Sequence, residues 1–599
     1  MRGVLTVAKP QSKIEKKQPQ YGSDVVVDLM KAFDIEYAAF NPGATFRGIH
    51  DSIVNYGGNY MPEVIFCHHE EISVAVAHGY AKAKNKPMIA IAHNMVGLQH
   101  ASMAIFNAYI DRVPIMVLGG TGPMNSKRRR PRIDWIHTAL VQGNQVRDYV
   151  KWDDQPYSLA DVPDSFIRGY RIATTDPMAP IYINYDADIQ EDALASALEV
   201  PDVSRYAAPA PTQANPEALK RAAQLLAGAQ APLIIADTLG RNPKSVPALI
   251  ELAELLAIPV VDKGARFNFP SVHSLDVTDG ARELLQRADV ILALDVADLF
   301  GSLTTVSKQT RNCEYVSSPA VKIISISMND MLVHSWANDY QALQAVDIPM
   351  TANTSVAVPE LIRLCREVLG NDAKKKADTD QRQKELAEKH QGRRAKWRAD
   401  AQAKGSQKEI STAWLGLELG EAIKREDWVL VNGNSNGWAR RLWDFTKPNQ
   451  YLGGSGGAGL GYGPGAAIGA ALALKGSGKL PVAIQSDGDM LMTSSALWTA
   501  AKHRIPLLMV MHNNQSYYNS EEHGIEVAKF RNRPVENAGI GTHVDDPEID
   551  FATMARSLGV SGEGAIRNPA DLRPAIERGL KYVKEKQLPY LVDVIAEPR

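Results

Sequence analysis

Short runs of apolar residues alternate with longer stretches of mixed polarity along most of this chain. The runs 88–93, 113–118 and 480–485 have the length and the flanking turn residues of strands that are buried on both faces. The stretches between such runs are long enough for one helix each, as in 493–503. Strands that alternate with helices predict parallel sheets covered by helices. We therefore expect an α/β fold made of three doubly wound parallel-sheet domains.

The repeats of this pattern predict where the domains begin and end. We expect a disordered tail over residues 1–20, a first domain over 21–190 and a central domain over 205–370. The highly charged segment 371–408 is expected to form a helical linker, followed by a last domain over 409–599. A length of 599 residues agrees with this division, since about 150 residues per domain is usual.

Composition and charge narrow the class of protein. Hydrophobic residues make up 45% of the chain and charged residues 22%, as in ordinary globular proteins. The net charge of −2 gives no reason to expect nucleic acid or a membrane as a partner, and no apolar run approaches the roughly 18 residues of a transmembrane helix. Cys67, Cys313 and Cys365 are scattered, so we expect no disulfide framework and a cytoplasmic location.

Two short polar motifs follow neighbouring apolar runs near the C-terminus. They are 486–489, Ser-Asp-Gly-Asp, and 513–516, Asn-Asn-Gln-Ser, and they place Asp487 and Asn514 27 positions apart. Consecutive strands of a parallel sheet end at the same edge, so a carboxylate and an amide oxygen should meet there. Hard oxygen ligands of this kind suit Mg2+. The alternative is an ordinary βαβ unit whose strands end in common turn residues.

The spacing and the paired asparagines resemble the signature of thiamine-diphosphate enzymes of the acetolactate synthase and benzoylformate decarboxylase type. That signature is usually written Gly-Asp-Gly … Asn-Asn, and Ser486 replaces its first glycine here. The resemblance implies that the chain binds thiamine diphosphate and Mg2+. The implied metal ligands are Asp487, Asn514 and Ser516, and further implied cofactor contacts are Gly488 and Asp489.

A second motif, near the N-terminus, resembles the same family. Glu70 stands nine positions before Gly79-Tyr-Ala, on a stretch of small and apolar residues that predicts a tightly packed helix. In the family this glutamate contacts the ring nitrogen N1′ of the cofactor's aminopyrimidine, which offsets the cost of burying an acid. Glu71 does not fit the spacing and is better explained as a solvated acid at the helix N-terminus. The resemblance makes Glu70 a catalytic and cofactor-binding residue.

A glycine run over 453–465 could be mistaken for a dinucleotide-binding fingerprint. That fingerprint needs a strand before it and an acidic residue after the next strand, and the sequence offers neither clearly. The resemblance instead implies that the run wraps the cofactor, with Leu460 holding its rings bent and the Ala458 carbonyl accepting from its amino group. Asn434 and Ser435 are expected to cradle the diphosphate at a helix N-terminus. A plain glycine-rich helix entry is the alternative.

Three places resemble benzoylformate decarboxylase in particular. The motif 41–44, Asn-Pro-Gly-Ala, matches an Asn-Pro-Gly-Ser loop with alanine in place of the substrate-binding serine, and Pro42 and Gly43 are expected to contact the cofactor. His93 and His273 lie in motifs that match those of its two proton-transferring histidines. Histidine suits this work because it titrates near neutral pH. Each histidine could instead be a hydrogen-bonded structural residue.

The resemblance implies an enzyme that makes or breaks a C–C bond next to a carbonyl, with Glu70 as the group that protonates the cofactor. The expected substrate is a small 2-oxo acid or a related carbonyl compound, and we expect a decarboxylase with carboligase activity. The alternatives are an acetolactate-synthase-like transferase, a 2-hydroxyacyl-CoA lyase and a diketone hydrolase. An alternative of another class is a non-catalytic thiamine-diphosphate-binding protein, which the presence of all three motif residues disfavours.

The resemblance also bears on assembly and on a second cofactor. In the family, domains of two subunits complete each site, so we expect at least a homodimer and further a homotetramer. Some relatives hold FAD in the central domain, but the sequence does not support FAD here. The basic loop 127–132 is expected to be solvated rather than to bind nucleic acid, with attraction of an anionic acyl-CoA as the alternative.

Overall fold

A computed structural model describes residues 18–196, 198–332, 342–435 and 437–597. Within these ranges, three parallel sheets alternate with helices, so the predicted fold class is confirmed. The predicted tail lies almost entirely outside the described residues. Contacts divide the chain into two compact units. Unit 1 holds the described residues as far as Pro209 together with Ser455–Gly469, and unit 2 holds Ala210–Gly454 and the described residues from Ala470 onward.

Unit 1 is built on one six-stranded sheet. Its strands are β1 (Tyr37–Phe40), β2 (Glu63–Phe66), β3 (Met88–His93), β4 (Ile115–Thr121), β5 (Trp152–Asp154) and β6 (Ile181–Asp186). They pair in parallel in the order β2-β1-β3-β4-β6-β5. The inner strands β3 and β4 are buried on both faces, which explains their unbroken apolar sequence. The α-helices of unit 1 are Gly22–Ala32, Arg47–Asp51, Glu70–Lys84, Asn94–Ile110, Ile133–His137, Val162–Thr174 and Ala187–Glu191.

Unit 2 contains two five-stranded parallel sheets. The strands of the 205–370 block are β7 (Pro232–Ala236), β8 (Val260–Asp262), β9 (Val290–Leu294), β12 (Lys322–Ser327) and β13 (Ile348–Thr351), with a small antiparallel pair of β10 (Thr304–Val306) and β11 (Cys313–Tyr315). The last block has β14 (Trp428–Gly433), β15 (Leu480–Ser486), β16 (Leu508–Asn513), β17 (Ser561–Ile566) and β18 (Tyr590–Ile595). The orders are β13-β12-β9-β7-β8 and β14-β15-β16-β18-β17.

The helices of unit 2 alternate with the strands of these two sheets. No helix among the described residues is both long enough and apolar enough to cross a bilayer. A helix over Tyr462–Leu474 starts within the segment Ser455–Gly469. The other α-helices are Pro216–Gly228, Ser245–Leu256, Ala281–Arg287, Leu299–Leu303, Thr354–Leu369, Ala373–Ala403, Thr412–Ile423, Trp438–Leu442, Asp487–Met492, Ala496–Lys502, Tyr518–Phe530, Phe551–Ser557 and Pro569–Lys586.

The charged segment 371–408 contains one 31-residue helix, Ala373–Ala403. The helix does not simply run through solvent, because some of its long side chains reach carbonyl groups of the 205–370 block. Arg382 Nη2 donates to the Leu256 carbonyl at 3.0 Å, and Arg394 Nη1 donates to the Ser271 carbonyl at 3.2 Å. The charged residues therefore anchor this helix along unit 2 as well as keeping its outer face in water.

The largest difference from the predicted elements lies just after β15. The sequence predicts one helix over 493–503, and the chain instead forms two short helices, Asp487–Met492 and Ala496–Lys502. Thr493 breaks the helical path with φ of −134°. Ser494 and Ser495 follow it, and short hydroxyl side chains favour helix ends because they compete for backbone hydrogen bonds. The first helix thus begins on the polar motif itself.

Candidate functional site

The predicted site residues fall into two groups, one in each unit. In both groups most of them follow the carboxyl ends of parallel strands, where α/β sheets bind ligands. Unit 1 carries Pro42, Gly43, Glu70, His93, Ala458 and Leu460, and unit 2 carries His273, Asn434, Ser435, Asp487, Gly488, Asp489, Asn514 and Ser516.

Glu70 is the first residue of the helix Glu70–Lys84, and its side chain is buried, with 3% exposed. Asn41 Nδ2 donates to its Oε1 at 3.2 Å, and His100 Nδ1 lies 3.2 Å from its Oε2. A Cβ at Gly97 would lie 3.0 Å from Oε1, so the absence of a side chain there lets the next helix pass over the carboxylate. Glu71 is partly exposed, as the sequence predicts for a solvated acid.

His69 and His100 flank Glu70, and the sequence analysis missed both. Their rings stack with centroids 4.7 Å apart, and His69 Nδ1 accepts the Glu71 N–H at 3.2 Å as the cap of the helix. Burial, and then the neighbouring His100, lower the pKa of His69. The sequence contains an indication for His100, because His100 follows Gly97 by three positions and therefore lies on the same face of the helix. That indication identifies His100 as a neighbour of Glu70 only when it is known that Gly97 faces Glu70.

His93 ends β3, and its ring is held in a defined state by Thr45. Thr45 Oγ1 accepts the Asn94 N–H at 3.2 Å and lies 2.9 Å from His93 Nδ1. This contact holds the ring by Nδ1 and leaves Nε2 as the nitrogen outside it. Burial, followed by the nearby His137, lowers the pKa of His93. The lowered pKa favours the neutral imidazole at neutral pH.

Gly43 is required by the position of His93. A Cβ at Gly43 would lie 2.5 Å from the His93 Cβ and 2.6 Å from its Cγ, which no side chain could tolerate. Gly43 follows Pro42 in the loop after β1, so this loop and the end of β3 lie in direct contact. The predicted residues Gly43 and His93 are therefore brought together, whereas Pro42 lies beside them in the same loop.

The segment Ser455–Gly469 places Ala458 and Leu460 in unit 1, against the helix Asn94–Ile110. Gly459 N donates to Asn107 Oδ1 at 3.3 Å. Ala458 has φ of +53°, a left-handed conformation that costs a non-glycine residue about 1 kcal/mol. Leu460 is 45% exposed although it is a large apolar residue. The strained backbone conformation of Ala458 and the exposed apolar side chain of Leu460 are features that we expect in a segment that contacts a ligand.

The glycine of the Gly79-Tyr-Ala motif has a packing role in this structure. A Cβ at Gly79 would lie 1.9 Å from the Ala466 carbonyl oxygen, and one at Gly469 would lie 1.9 Å from the Val76 carbonyl oxygen. The helix that begins at Glu70 and the helix that begins at Tyr462 therefore touch backbone to backbone. This contact fixes the helix of Glu70 against the segment of Ala458 and Leu460.

In unit 2, oxygen atoms of Asp487, Asn514 and Ser516 meet beyond the ends of β15 and β16, and we call them the oxygen cluster. Asp487 is 2% exposed, its Oδ1 accepts the Gly488 N–H at 2.8 Å, and its Oδ2 has no hydrogen-bond partner among the described residues. The Asn514 side-chain amide lies 3.3 Å from Asp487 Oδ1 and 3.2 Å from the Ser516 carbonyl, and its NH2 group can donate to both. Gln515, with φ of +53°, makes the turn that allows both approaches.

The donor atoms of the oxygen cluster fit Mg2+. Asp487 Oδ2 is buried without a hydrogen-bond partner among the described residues, which leaves an anionic ligand atom for a cation. Burial raises the pKa of Asp487, a cost that a cation would offset. One anionic carboxylate, one amide oxygen and one carbonyl are hard ligands of the kind Mg2+ takes, with phosphate and water completing its shell.

The neighbours of the oxygen cluster are held by their own contacts. A Cβ at Gly488 would lie 2.4 Å from the Tyr517 ring, so this position needs glycine. Gln485 Nε2 donates to Asp489 Oδ2 at 2.5 Å. The Ser516 hydroxyl donates to Glu521 Oε2 at 2.7 Å, which leaves its backbone carbonyl as the group directed at Asn514.

Asn434 and Ser435 follow β14, the strand beside β15. Asn434 N donates to the Ile484 carbonyl at 3.1 Å, and the Ser435 hydroxyl accepts the Ala439 N–H at 3.2 Å, at the start of the short helix Trp438–Leu442. These two residues therefore share the carboxyl edge of the sheet with the oxygen cluster, as the sequence predicts for a diphosphate cradle.

His273 has partners for both ring nitrogens within the 205–370 block. Its Nε2 lies 3.1 Å from Glu254 Oε1, and its Nδ1 accepts the Leu275 N–H at 3.1 Å. This is the arrangement of a hydrogen-bonded structural histidine, the alternative considered from the sequence.

The basic loop 127–132 uses its arginines within unit 1. Arg128 pairs with Asp188 and Asp192, and Arg130 pairs with Asp134 at 2.7 Å. Arg129 Nε donates to the Pro123 carbonyl at 2.6 Å. These contacts hold the arginines of the loop against unit 1.

We expect Asp593 to make stability fall as pH rises. Its carboxyl group is fully buried on β18, with Oδ1 accepting from Asn513 Nδ2 at 3.2 Å and Oδ2 without a partner among the described residues. Burial raises its pKa to about 6. Because this is higher than the unfolded value of about 4, the stabilising protonated form is lost as pH rises through 6.

Thermal unfolding of the wild type and of Asp593→Asn at pH 5 and pH 7.5 tests this. The wild type should lose more stability than the variant over that interval, by about 1.4 kcal/mol. Equal losses in the two proteins would show that Asp593 does not titrate in this range.

Comparisons with known proteins match each of the three sheet-containing blocks to one family. Residues 20–144 match the N-terminal TPP binding domain of thiamine pyrophosphate enzymes, residues 219–345 their central domain and residues 432–594 their C-terminal TPP binding domain. A probable acetolactate synthase large subunit of Methanocaldococcus jannaschii is 22% identical, with 96% of this chain and 92% of that protein aligned. An acetolactate synthase of Arabidopsis thaliana is 25% identical, over 98% and 83% of the two chains.

Solved structures share the fold over nearly the whole chain. A 4-hydroxybenzoylformate decarboxylase of Rhodococcus jostii superposes with a TM-score of 0.72 at 18% identity, covering 97% of this chain and 99% of that one. Benzoylformate decarboxylase of Polynucleobacter necessarius gives a TM-score of 0.74 at 18% identity, covering 96% and 99%. At such identities the superpositions establish the fold alone.

Proposed function

This chain belongs to the thiamine pyrophosphate enzymes, and on that premise we propose that it is a thiamine-diphosphate- and Mg2+-dependent decarboxylase with carboligase activity. Its substrate is a small 2-oxo acid. When bound, the cofactor supplies an electron sink for the C–C bond beside the carbonyl. The observation that carries the proposal is the buried carboxylate of Glu70, held by Asn41 at one oxygen and by His100 at the other.

Glu70 is proposed to exchange a proton with the pyrimidine ring of the cofactor. A buried carboxylate on an apolar helix is costly unless a partner compensates it. Its protein partners here are an amide and a histidine, with no lysine or arginine pairing to it among the described residues. A carboxylate without a fixed cation can gain and lose a proton, which is what an acid–base group requires.

The oxygen cluster is proposed to hold Mg2+, and through it the diphosphate. Asp487 supplies the negative charge, Asn514 an amide oxygen and Ser516 its backbone carbonyl. Asn434 and Ser435 share the same sheet edge and are proposed diphosphate contacts. The remaining proposed cofactor contacts are Gly488 and Asp489 beside the metal, Ala458 and Leu460 at its middle, and Pro42 and Gly43 near its ring.

His93 is proposed to deliver the proton that releases an aldehyde. The acid is the imidazolium form of the ring, which gives up a proton and returns to the neutral imidazole, while the contact of Nδ1 with Thr45 orients the ring. Because burial and His137 lower the pKa of His93, the imidazolium is a stronger acid and only a small fraction of the ring carries that proton at neutral pH. His273 remains a proposed second proton-transfer group with less support, since Glu254 and the Leu275 N–H occupy both of its nitrogens.

We expect His93→Ala to slow aldehyde release and to raise the share of carboligation product. Without His93, protonation would be slower, so a larger share of the decarboxylated substrate would react with a second carbonyl compound. The measurement is chromatography of products formed from a 2-oxo acid with and without an acceptor aldehyde. His523→Ala, at an exposed position, is the matched control and should behave as the wild type. An unchanged rate and an unchanged partition in His93→Ala would make His93 structural.

A second candidate is an acetolactate-synthase-like transferase. The loop 41–44 has Ala44 where a serine would bind the substrate carboxylate, and the hydroxyl of Thr45 beside it is already bonded to His93. The Thr45 hydroxyl is therefore shared with His93 and with the Asn94 N–H. Curated relatives named above are acetolactate synthases. Incubation with one 2-oxo acid and analysis for aldehyde against 2-hydroxy-2-keto acid product separates the two candidates.

We propose at least a homodimer, and a homotetramer as the working state, which sedimentation analysis of the full chain tests. The scattered cysteines support a cytoplasmic location. No residue argues for FAD, and the visible absorption spectrum of the purified protein decides whether it binds.

A further inference from the structure

Two histidines and a carboxylate form a cluster in unit 1 that can hold a metal ion. We call His69, Glu70 and His100 the histidine–glutamate cluster; one ligand atom from each lies within 4.8 Å of the others. His100 Nδ1 and Glu70 Oε2 are 3.2 Å apart. Around a tetrahedral Zn2+ with ligands at about 2.1 Å, neighbouring donor atoms are about 3.4 Å apart. This pair therefore has the spacing of two ligands before any ion enters.

We propose that the cofactor-free protein binds Zn2+, or a transition-metal ion of similar preference, at the histidine–glutamate cluster. Two imidazoles and one carboxylate are a ligand set that Zn2+ takes, whereas Mg2+ prefers all-oxygen sets such as the oxygen cluster. The His100 side chain is 49% exposed, so the ion has a path in and a solvent molecule can be the fourth ligand.

The neighbours of the cluster orient its ligand atoms. Asn41 donates to Glu70 Oε1, which orients the carboxylate and leaves Oε2 directed at His100. If His69 coordinates through Nε2, its Nδ1 must carry the proton and the 3.2 Å hydrogen bond from Glu71 is lost. One long hydrogen bond is a small loss beside a coordinate bond.

Metal at this cluster opposes catalysis, and this consequence rests on the function proposed for Glu70. An ion bound to Oε2 withholds the carboxylate from the cofactor. Zn2+ should thus inhibit reversibly, and thiamine diphosphate with Mg2+ should displace it. The cluster would make activity sensitive to free transition metal.

Co2+ is the probe for the test, because its spectrum reports coordination geometry. Four-coordinate Co2+ with nitrogen ligands absorbs strongly in the visible range, and six-coordinate Co2+ in an oxygen site absorbs weakly. Full-length protein is stripped of cofactor and metal with EDTA and titrated with Co2+. We expect an intense band that Zn2+ abolishes, and at least about 10-fold weaker binding in His100→Asn.

Matched variants separate this cluster from the oxygen cluster. His68→Asn, at the exposed neighbouring histidine, and Asp487→Asn should keep the intense band, since neither position supplies a ligand; circular dichroism verifies that each variant is folded. The absence of an intense band in the wild type, or its persistence in both His69→Asn and His100→Asn, overturns the inference. If the band survives when thiamine diphosphate and Mg2+ bind, the metal site stands and the proposed contact of Glu70 with the cofactor is wrong.

Discussion

Glu70→Gln should lower turnover by at least about 100-fold, the usual contribution of a positioned acid–base group. Glutamine keeps the shape of the side chain, and its amide oxygen can still accept from Asn41 at the position of Oε1. It cannot give up or take a proton. The fold should therefore survive while proton exchange with the cofactor is lost, so the affinity for thiamine diphosphate should change far less than turnover.

Glu71→Gln is the matched control for this prediction. The two acids are adjacent on one helix, but Glu71 is partly exposed and Glu70 is buried. Turnover is measured with the best substrate from a panel of 2-oxo acids, and cofactor affinity by calorimetry. Equal losses of turnover in the two variants, or none in Glu70→Gln, would remove Glu70 from the proposed role.

Asp487→Asn should raise the Kd for thiamine diphosphate by at least about 10-fold in the presence of Mg2+. The substitution removes the anionic ligand, while the asparagine carbonyl can still accept the Gly488 N–H. Asn514→Ala removes the neutral amide ligand and should weaken binding in the same direction. Because the loss is one of binding, a large excess of Mg2+ and cofactor should restore part of the activity.

The control for the metal variants is Asp545→Asn, which changes an exposed acid of the same block. It should bind the cofactor as the wild type does. Calorimetry with and without Mg2+ distinguishes the effects, since the Mg2+-dependent part of the affinity should disappear in Asp487→Asn. Wild-type affinity in that variant would contradict the metal site.

The site residues that could be predicted from the sequence are those whose positions depend only on one strand and the helix that follows it. Asp487 and Asn514 each follow an apolar strand, and adjacent parallel strands bring such residues to one edge. Glu70 follows from its spacing to a motif on its own helix. The alternation of strands and helices was likewise enough for the fold class.

The residues that could not be predicted depend on packing between elements. His100 reaches Glu70 only because Gly97 lets one helix pass close to another. The Thr45 hydroxyl contacts His93 although the two residues follow different strands, β1 and β3. The chain forms two short helices after β15 because Thr493 does not have a helical backbone conformation. The spacing of apolar residues does not predict such a local break.

The central claim, that Glu70 activates bound thiamine diphosphate, can be tested without knowing the substrate. The measurement is the rate at which the acidic carbon-bound proton of the cofactor's thiazolium ring exchanges with deuterium in the Mg2+-loaded protein. For the wild type and for Glu71→Gln we expect exchange much faster than in free cofactor. For Glu70→Gln we expect that acceleration to be lost. Exchange in the wild-type protein no faster than in free cofactor would contradict the account and would favour a protein that binds the cofactor without using it.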